Sequence, residues 1–273
     1  MAFAGSPMGA AEPLNEARLR AALGDQGSLW TDVRIVPETG STNEDALKHA
    51  VDGAREGLVI AADWQSAGRG RQGRRWLTRP GAALTFSVLL RPQSVPQAAR
   101  GWMPLLAGLA VTAGVRHAAG VDARLKWPND VLAGGGKLAG ILAEQSGEAL
   151  VVGVGVNVLG DEHDLPVATA TSLERCGADR VDRTALLAAI LAELGDRYLR
   201  WREIRPGDAA ESGLQREYRS LCDTLGRQVR VLLPGDRELA GLAVDVDPMG
   251  QLLVSRPDGE MAAVSAGDVI HVR

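Results

Sequence analysis

Two cysteines, two phenylalanines and two tyrosines are all that 273 residues contain. Cys176 and Cys222 are too few for a disulfide framework or a cysteine metal site, and a reducing cytosol is the simplest setting, so a cytoplasmic location is expected. With Phe and Tyr so scarce, the core has to rely on Leu, Val and Ala, with six tryptophans as its large pieces. A basic excess is missing too. The net charge is −4, so the chain has no global footprint for nucleic acid. The histidines, at 49, 117, 163 and 271, share no metal spacing, and no metal site built from side chains is expected. The longest largely apolar run, Trp102 to Val115, is short of a bilayer span and contains Pro104. Met1 to Glu12 is rich in Ala, Gly and Pro and lacks the basic start and apolar core of a signal peptide. Export and membrane insertion are therefore not expected, and residues 1–12 read as a disordered segment.

What is present is an ordinary globular balance, 45% apolar and 23% charged. The length allows one large core and one small domain. Leu14 to Leu23 reads as a short amphipathic helix and Val33 to Val36 as a strand. Ser41 followed by Glu44 is a capping-box pattern, predicting a helix that ends near Gly53. Leu58–Ala62 and Ala83–Leu90 read as strands flanking a loop rich in glycine and arginine. Pro96 to Ala119 reads as helical, with Pro104 kinking it or marking a start. Arg124–Trp127 is a further strand, and Lys137–Glu144 with Ala149–Val158 a hairpin turned at Ser146-Gly147-Glu148. Asp182–Arg202 and Asp208–Leu221 are helical patterns. From Arg227 onward, turn signals recur at Pro234-Gly235-Asp236, Asp247 to Gly250, Pro257-Asp258-Gly259 and Ala266-Gly267-Asp268. That spacing predicts a small antiparallel barrel of five strands. The chain thus divides near Gly226, into 13–225 and 226–273.

Three clusters carry chemistry. In Asp63–Trp76, glycines at 68, 70 and 73 alternate with arginines at 69, 71, 74 and 75. Glycine permits close backbone approach and arginine supplies forked cationic donors, so such a loop can wrap an anion and is expected to be mobile until one arrives. An arginine–glycine tract can equally be a solvated nucleic-acid binder, but those recur in basic, disordered segments. This one is single and lies between two predicted strands of an acidic chain. The second cluster is Lys126-Trp127-Pro128-Asn129-Asp130. It is either a plain strand end with a turn or a nucleotide site with Lys126 and Asn129 as donors and Trp127 as a flat wall. The third is Lys137-Leu138-Ala139-Gly140. The preceding Gly134-Gly135-Gly136 imitates a phosphate loop, but Leu138 replaces the metal-binding hydroxyl, and a hairpin turn reads as well. Gly153-x-Gly155 is half a dinucleotide fingerprint with no helix after it, and reads as sheet packing against a ligand.

Together, in order and spacing, these clusters resemble the active site of biotin protein ligases. Ser41-Thr42-Asn43 looks like the family's biotin-contacting triplet. Gln65 and the run Gly68–Trp76 look like its biotin- and adenylate-binding loop, and the Lys126 and Lys137 motifs like its next two signatures. Gly155-Val156-Asn157 and Ala170-Thr171-Ser172-Leu173 look like further family elements. The resemblance runs from about residue 31 onward. It implies an α+β fold: a mixed sheet packed with helices, like that of class II aminoacyl-tRNA synthetases, followed by an SH3-like barrel. It also implies roles. Ser41, Thr42, Asn43, Gln65, Gly68, Arg69, Gly70, Arg71, Lys137, Gly140 and Gly155 would bind biotin. Arg71, Arg74, Trp76, Lys126, Asn129, Lys137 and Asn157 would bind ATP and the adenylate. Lys137, Arg71 and Arg69 would be catalytic. Gln72 stands where many relatives carry another basic or small residue, with Arg69, Arg71 and Arg74 retained around it.

The implied reaction joins biotin to ATP as biotinyl-5′-adenylate, then passes biotin to a lysine of biotin carboxyl carrier protein. Magnesium would accompany the ATP. Some members begin with a winged helix-turn-helix. Only about thirty residues precede the first predicted strand here, so neither repressor activity nor DNA binding is expected. Lipoate or octanoate ligases are the nearest alternative, and a non-enzymatic biotin sensor the more distant one. Neither cysteine lies in a motif, as a cysteine-dependent transferase would need.

Overall fold

In the computed structural model, residues 12–24, 29–160, 165, 169–233, 235 and 237–272 are described. The expectation for residues 1–11 and the position of His163 lie outside them. Seven strands form one mixed sheet: β1 (Asp32–Thr39), β2 (Leu58–Gln65), β3 (Ala83–Leu90), β4 (Ala123–Lys126), β5 (Asp130–Ala133), β6 (Gly136–Ser146) and β7 (Ala149–Asn157). Their spatial order is β1-β2-β3-β7-β6-β5-β4. Only β1 and β2 run parallel; all other neighbours are antiparallel.

The two faces of this sheet differ in composition, and that difference places the cavity. Leu84, Phe86, Val88 and Leu90 of β3 and Val152, Val154 and Val156 of β7 enter the main core. There α3 (Met103–Ala119) and α4 (Arg183–Glu203) pack on each other, with α1 (Glu16–Leu23) against α4. The opposite face holds a smaller apolar cluster under α2 (Thr42–Val51), made by Ala46, Ala50, Leu58, Ile60, Leu89 and Val151. Between those apolar positions, the same face carries Thr85 and Ser87 on β3 and Gly153 and Gly155 on β7.

Register turns this pattern into a row. Lys126 pairs with Asp130, Asp130 with Gly140, Gly140 with Gly155, and Gly155 with Thr85. Directly paired residues share a face, so charge at one end of the row gives way to two glycines in the middle. The glycines leave a depression.

The helix signals act as expected. Ser41 caps α2, its Oγ accepting from Glu44 N. Asp182 caps α4 through Thr184 N at 2.9 Å. Pro104 does not kink a long helix. It stands in the first turn of α3, after a 3₁₀ segment at Gln97–Trp102. The segment Gln97–Ala119 is long and apolar enough by composition to cross a membrane, but most of it is buried in the core. One expectation is corrected. The pattern from Asp208 to Leu221 is helical only as α5 (Leu214–Leu221), because Gly213 at φ 78° breaks it and Asp208 caps a separate turn. The Pro128-Asn129 turn ends β4, and the four-residue β5 that follows at once pairs with both β4 and β6.

The C-terminal residues form a second sheet of five antiparallel strands, ordered β11-β10-β9-β8-β12: β8 (Gln228–Leu233), β9 (Arg237–Val246), β10 (Leu252–Ser255), β11 (Met261–Val264) and β12 (Asp268–His271). This matches a small SH3-like unit. Two tryptophans hold its Asp247–Gly250 turn to the large unit: Trp102 Nε1 donates to Pro248 O at 2.7 Å and Trp127 Nε1 to Gly250 O at 3.0 Å.

Candidate active site

A cavity of about 530 Å³ opens over the glycine row, within the range that holds a cofactor-sized ligand. Its floor and one end are built from the capped start of α2, from Gln65 at the end of β2 and from β6 and β7. Thr42 donates to Gln65 Oε1 from both its backbone N (2.7 Å) and its Oγ1 (3.1 Å). This fixes the Gln65 carboxamide by its oxygen and leaves the amide protons as the donors available to a ligand. The fully buried Ser87 hydroxyl lies 2.7 Å from Thr42 Oγ1 and 2.6 Å from Asn43 Oδ1. Asn43 Nδ2 donates to Leu142 O at 3.2 Å and to Glu144 Oε2 at 2.8 Å. The Asn43 carboxamide is thus spent within the protein, and its place in the wall is that of a brace. Gly153 makes room for it: a Cβ there would lie 2.0 Å from Asn43 Oδ1.

The other end is cationic. Lys137 Nζ lies 2.6 Å from Asp130 Oδ1, an ion pair outside hydrogen-bond direction. The Lys137 backbone is clamped by the segment after β7, through Lys137 N to Thr169 O at 2.7 Å and Thr171 N to Lys137 O at 2.9 Å. Asn157 Nδ2 ties the same segment at Thr171 O, 2.9 Å away. Lys126 has no ion pair within 4 Å among the described residues. Burial pushes its ammonium below the usual lysine range, against the pull of Asp130.

The glycine- and arginine-rich loop lies across the cavity, and each of its inward arginines has found a partner. Arg69 pairs with Glu144 at 3.1 Å. Arg71 donates to Asn129 Oδ1 at 2.8 Å and to Gly267 O at 3.3 Å, with Asp268 3.9 Å away. Arg74 meets Asp268 at 2.9 Å. Burial lowers the Arg71 pKa, with Asp268 opposing. Trp76 closes the loop onto the floor. A Cβ at Gly155 would stand 2.5 Å from its Cε2, and its Nε1 is buried without a hydrogen-bond partner among the described residues. An unpaired buried donor costs about 1–3 kcal/mol, which a ligand acceptor would recover.

The structure brings Ser41, Thr42, Asn43, Gln65, Arg69, Gly70, Arg71, Arg74, Trp76, Lys126, Asn129, Lys137, Gly140, Gly155 and Asn157 around this one cavity. Gly68 is not in its lining. It accepts Trp76 N–H at 2.9 Å, and a side chain there would strike Trp76 O. Trp127 is not a wall of the site either: it is buried on the C-terminal turn. Asn129 braces rather than reaches outward, since its Nδ2 donates to Ile141 O while its Oδ1 holds Arg71. The glycines at 153 and 155 do allow close approach, but here to Asn43 and Trp76. Ser87, Glu144, Asp268, Ile270 and His271 were not singled out as site residues by sequence. Polar residues alternating in the apolar strand β3 were the one signal that pointed to Ser87.

Residues 35–161 match the biotin/lipoate A/B protein ligase family, and residues 224–272 match the biotin protein ligase C-terminal domain. The chain is 43% identical to the biotin–[acetyl-CoA-carboxylase] ligase of Mycobacterium tuberculosis over 265 residues, covering 96% of this chain and 97% of that one. It is 30% identical to the bifunctional ligase/repressor BirA of Escherichia coli, over 94% of this chain and 79% of the relative. Among solved structures, biotin protein ligase from Aquifex aeolicus in complex with biotin and ATP superposes with a TM-score of 0.74 at 28% identity, covering 89% of this chain and 99% of that one.

Proposed function

The chain belongs to the biotin protein ligase family, and on that premise we propose that it activates biotin with ATP to biotinyl-5′-adenylate and transfers it to a lysine of biotin carboxyl carrier protein. The observation that carries this reading is the polarity of the cavity. Its glycine floor and the Ser41–Thr42–Gln65 end suit an apolar chain with a small polar head. Its other end gathers Lys126, Lys137, Arg71 and Arg74 for phosphates. Activation brings a carboxylate against a phosphate, a repulsion of about 4 kcal/mol at ~4 Å and an effective dielectric of ~20. Left unopposed, it would slow the step roughly a thousandfold. Lys137, on the strand beside the glycine row, is the cation placed to oppose it, with Arg69 and Arg71 from the loop.

The side chains do not fit a metal cage of their own. Asp130, Glu144 and Asp268 are each engaged by a cation, and no group of three His, Cys, Asp or Glu that could hold a metal exists among the described residues. Magnesium would arrive bound to the nucleotide, which suits its preference for phosphate and water oxygens. The loop over the cavity would exclude water from the hydrolysable adenylate. We assign the large unit, 13–225, to substrate binding and chemistry and 226–273 to completing the nucleotide end. The two free thiols, Cys176 and Cys222, suit a cytoplasmic enzyme.

Incubation with labelled biotin, ATP and a purified carrier domain tests the reading. Label on the carrier, with one pyrophosphate released per biotin, is expected. Transfer of lipoate or octanoate in preference to biotin, or no pyrophosphate release, would refute it.

A further inference from the structure

Two residues of the C-terminal strand β12, Ile270 and His271, line the cavity beside Lys126. The imidazole of His271 is held at one edge only: its Nε2 lies 3.1 Å from Thr224 Oγ1. Thr224 is fully buried, and its oxygen already accepts the Trp127 backbone N–H at 3.0 Å. A hydroxyl that accepts from one neighbour still has its own proton to place. His271 Nε2, 3.1 Å away, is the acceptor that the geometry offers it. The neutral ring then carries its own hydrogen on Nδ1, which has no partner among the described residues. Burial, with Lys126 and Arg227 adding repulsion, holds the ring neutral by pushing its pKa down to about 4.

We propose that His271 is a further nucleotide-binding residue, donating Nδ1–H to an oxygen of the departing β,γ-diphosphate of ATP beside Lys126. Position assigns that end of the nucleotide. Lys126 lies on β4, two strands from the Lys137-bearing β6, which is about 10 Å at normal strand spacing. The α-phosphate has to lie near Lys137, where it meets the carboxylate. Lys126 and His271 are then left for the phosphates beyond it. Lys126 brings a charge that no carboxylate among the described residues pairs with within 4 Å, and His271 brings a directed, uncharged donor. A second anionic partner for a neutral donor and an unpaired cation is a polyphosphate rather than a base or a sugar.

The inference rests on the adenylating function proposed above, and substitutions of His271 in the full chain separate the two. The amide nitrogen of asparagine stands as many bonds from Cβ as Nδ1 does. The amide oxygen of glutamine stands as many bonds from Cβ as Nε2 does and, like it, accepts. His271→Gln therefore keeps the contact to Thr224 and has no donor at the Nδ1 position, whereas His271→Asn keeps a donor there. Steady-state pyrophosphate release is expected to show an ATP KM raised about tenfold or more in His271→Gln, the loss of one hydrogen bond to a charged group. The KM for biotin should stay within about twofold, and His271→Asn should restore most of the ATP KM. Affinity for a non-hydrolysable biotinyl-adenylate analogue, which lacks the β- and γ-phosphates, should be equal in all three proteins. An unchanged ATP KM in His271→Gln, equal losses in both variants, or a parallel loss of analogue affinity would overturn the assignment. Failure of the unsubstituted enzyme to release pyrophosphate would instead overturn the proposed function.

Discussion

The floor of the cavity and the loop that covers it are held by different kinds of interaction. In the floor, Thr42, Asn43, Gln65 and Ser87 are buried and bonded to one another or to strand carbonyls. Such groups have nowhere else to turn, so their geometry is set before any ligand binds. The loop is held by ion pairs to carboxylates borrowed from elsewhere, Glu144 on β6 and Asp268 on β12. Arg69 and Arg74 are about half exposed, and pairs of that kind contribute at most about 1 kcal/mol. They can be exchanged for the anions of a substrate at little cost. One region is a fixed mould; the other is a clasp held by exchangeable ion pairs.

The largest effect should come where the two regions meet. Lys137→Ala is expected to lower pyrophosphate release about a hundred- to thousandfold, the usual consequence of removing one preorganised donor, about 2.7–4 kcal/mol. A melting curve recorded beside it should move little, since Lys137 is a third exposed and not part of the core. Retention of half the turnover would remove Lys137 from the chemistry.

Gly153→Ala probes the floor. Its new methyl would overlap the Asn43 carboxamide, and overpacking of this sort costs about 1–3 kcal/mol. A melting temperature lower by roughly 2–10 °C should accompany a raised KM for biotin. A floor that absorbed the methyl with neither change would not be a fixed mould.

The smallest effect belongs to the clasp. Asp268→Asn should make trypsin cut between Ser66 and Arg75 a few times faster in the ligand-free protein, matching a pair worth up to about 1 kcal/mol. With biotin and ATP bound, the variant and the parent should be cut equally slowly, because substrate anions then hold the arginines. Equal rates in the free proteins would show that Asp268 does not hold the loop.

The same division governs what could be read from residues alone. Motifs of the loop and of the helix start were legible because each is contiguous: Ser41 and Glu44 announce a cap, and Gly and Arg alternate within ten positions. Strands β3 and β7 were legible from their alternation, and β6 as the first arm of the hairpin that β7 completes. The partners of the arginines were not. Glu144 lies in an ordinary strand and Asp268 in an ordinary turn signal, and only strand register and the docking of the second sheet bring them to Arg69, Arg71 and Arg74. The two readings of Trp127 stay open in the sequence for a related reason. An aromatic inside a motif looks the same whether its ring faces a ligand or the core, and what decides is a turn some 120 residues away. The helix pattern from Asp208 failed locally, because Gly213 in the left-handed region overrode the periodicity before it.

The contact between Arg71 and Gly267 spans 196 residues. At about 5–20 residues per second, a ribosome needs roughly 10–40 s to cover that interval. The loop is therefore made, and its flanking strands can pair, long before β12 exists. Throughout that time the biotin end of the cavity can form while the nucleotide end stands open along one side. The wall is completed by the last of the described strands, so the cavity of a growing chain is closed in a single late event. A chain broken off before β12 would hold the floor of the cavity without the wall at its cationic end.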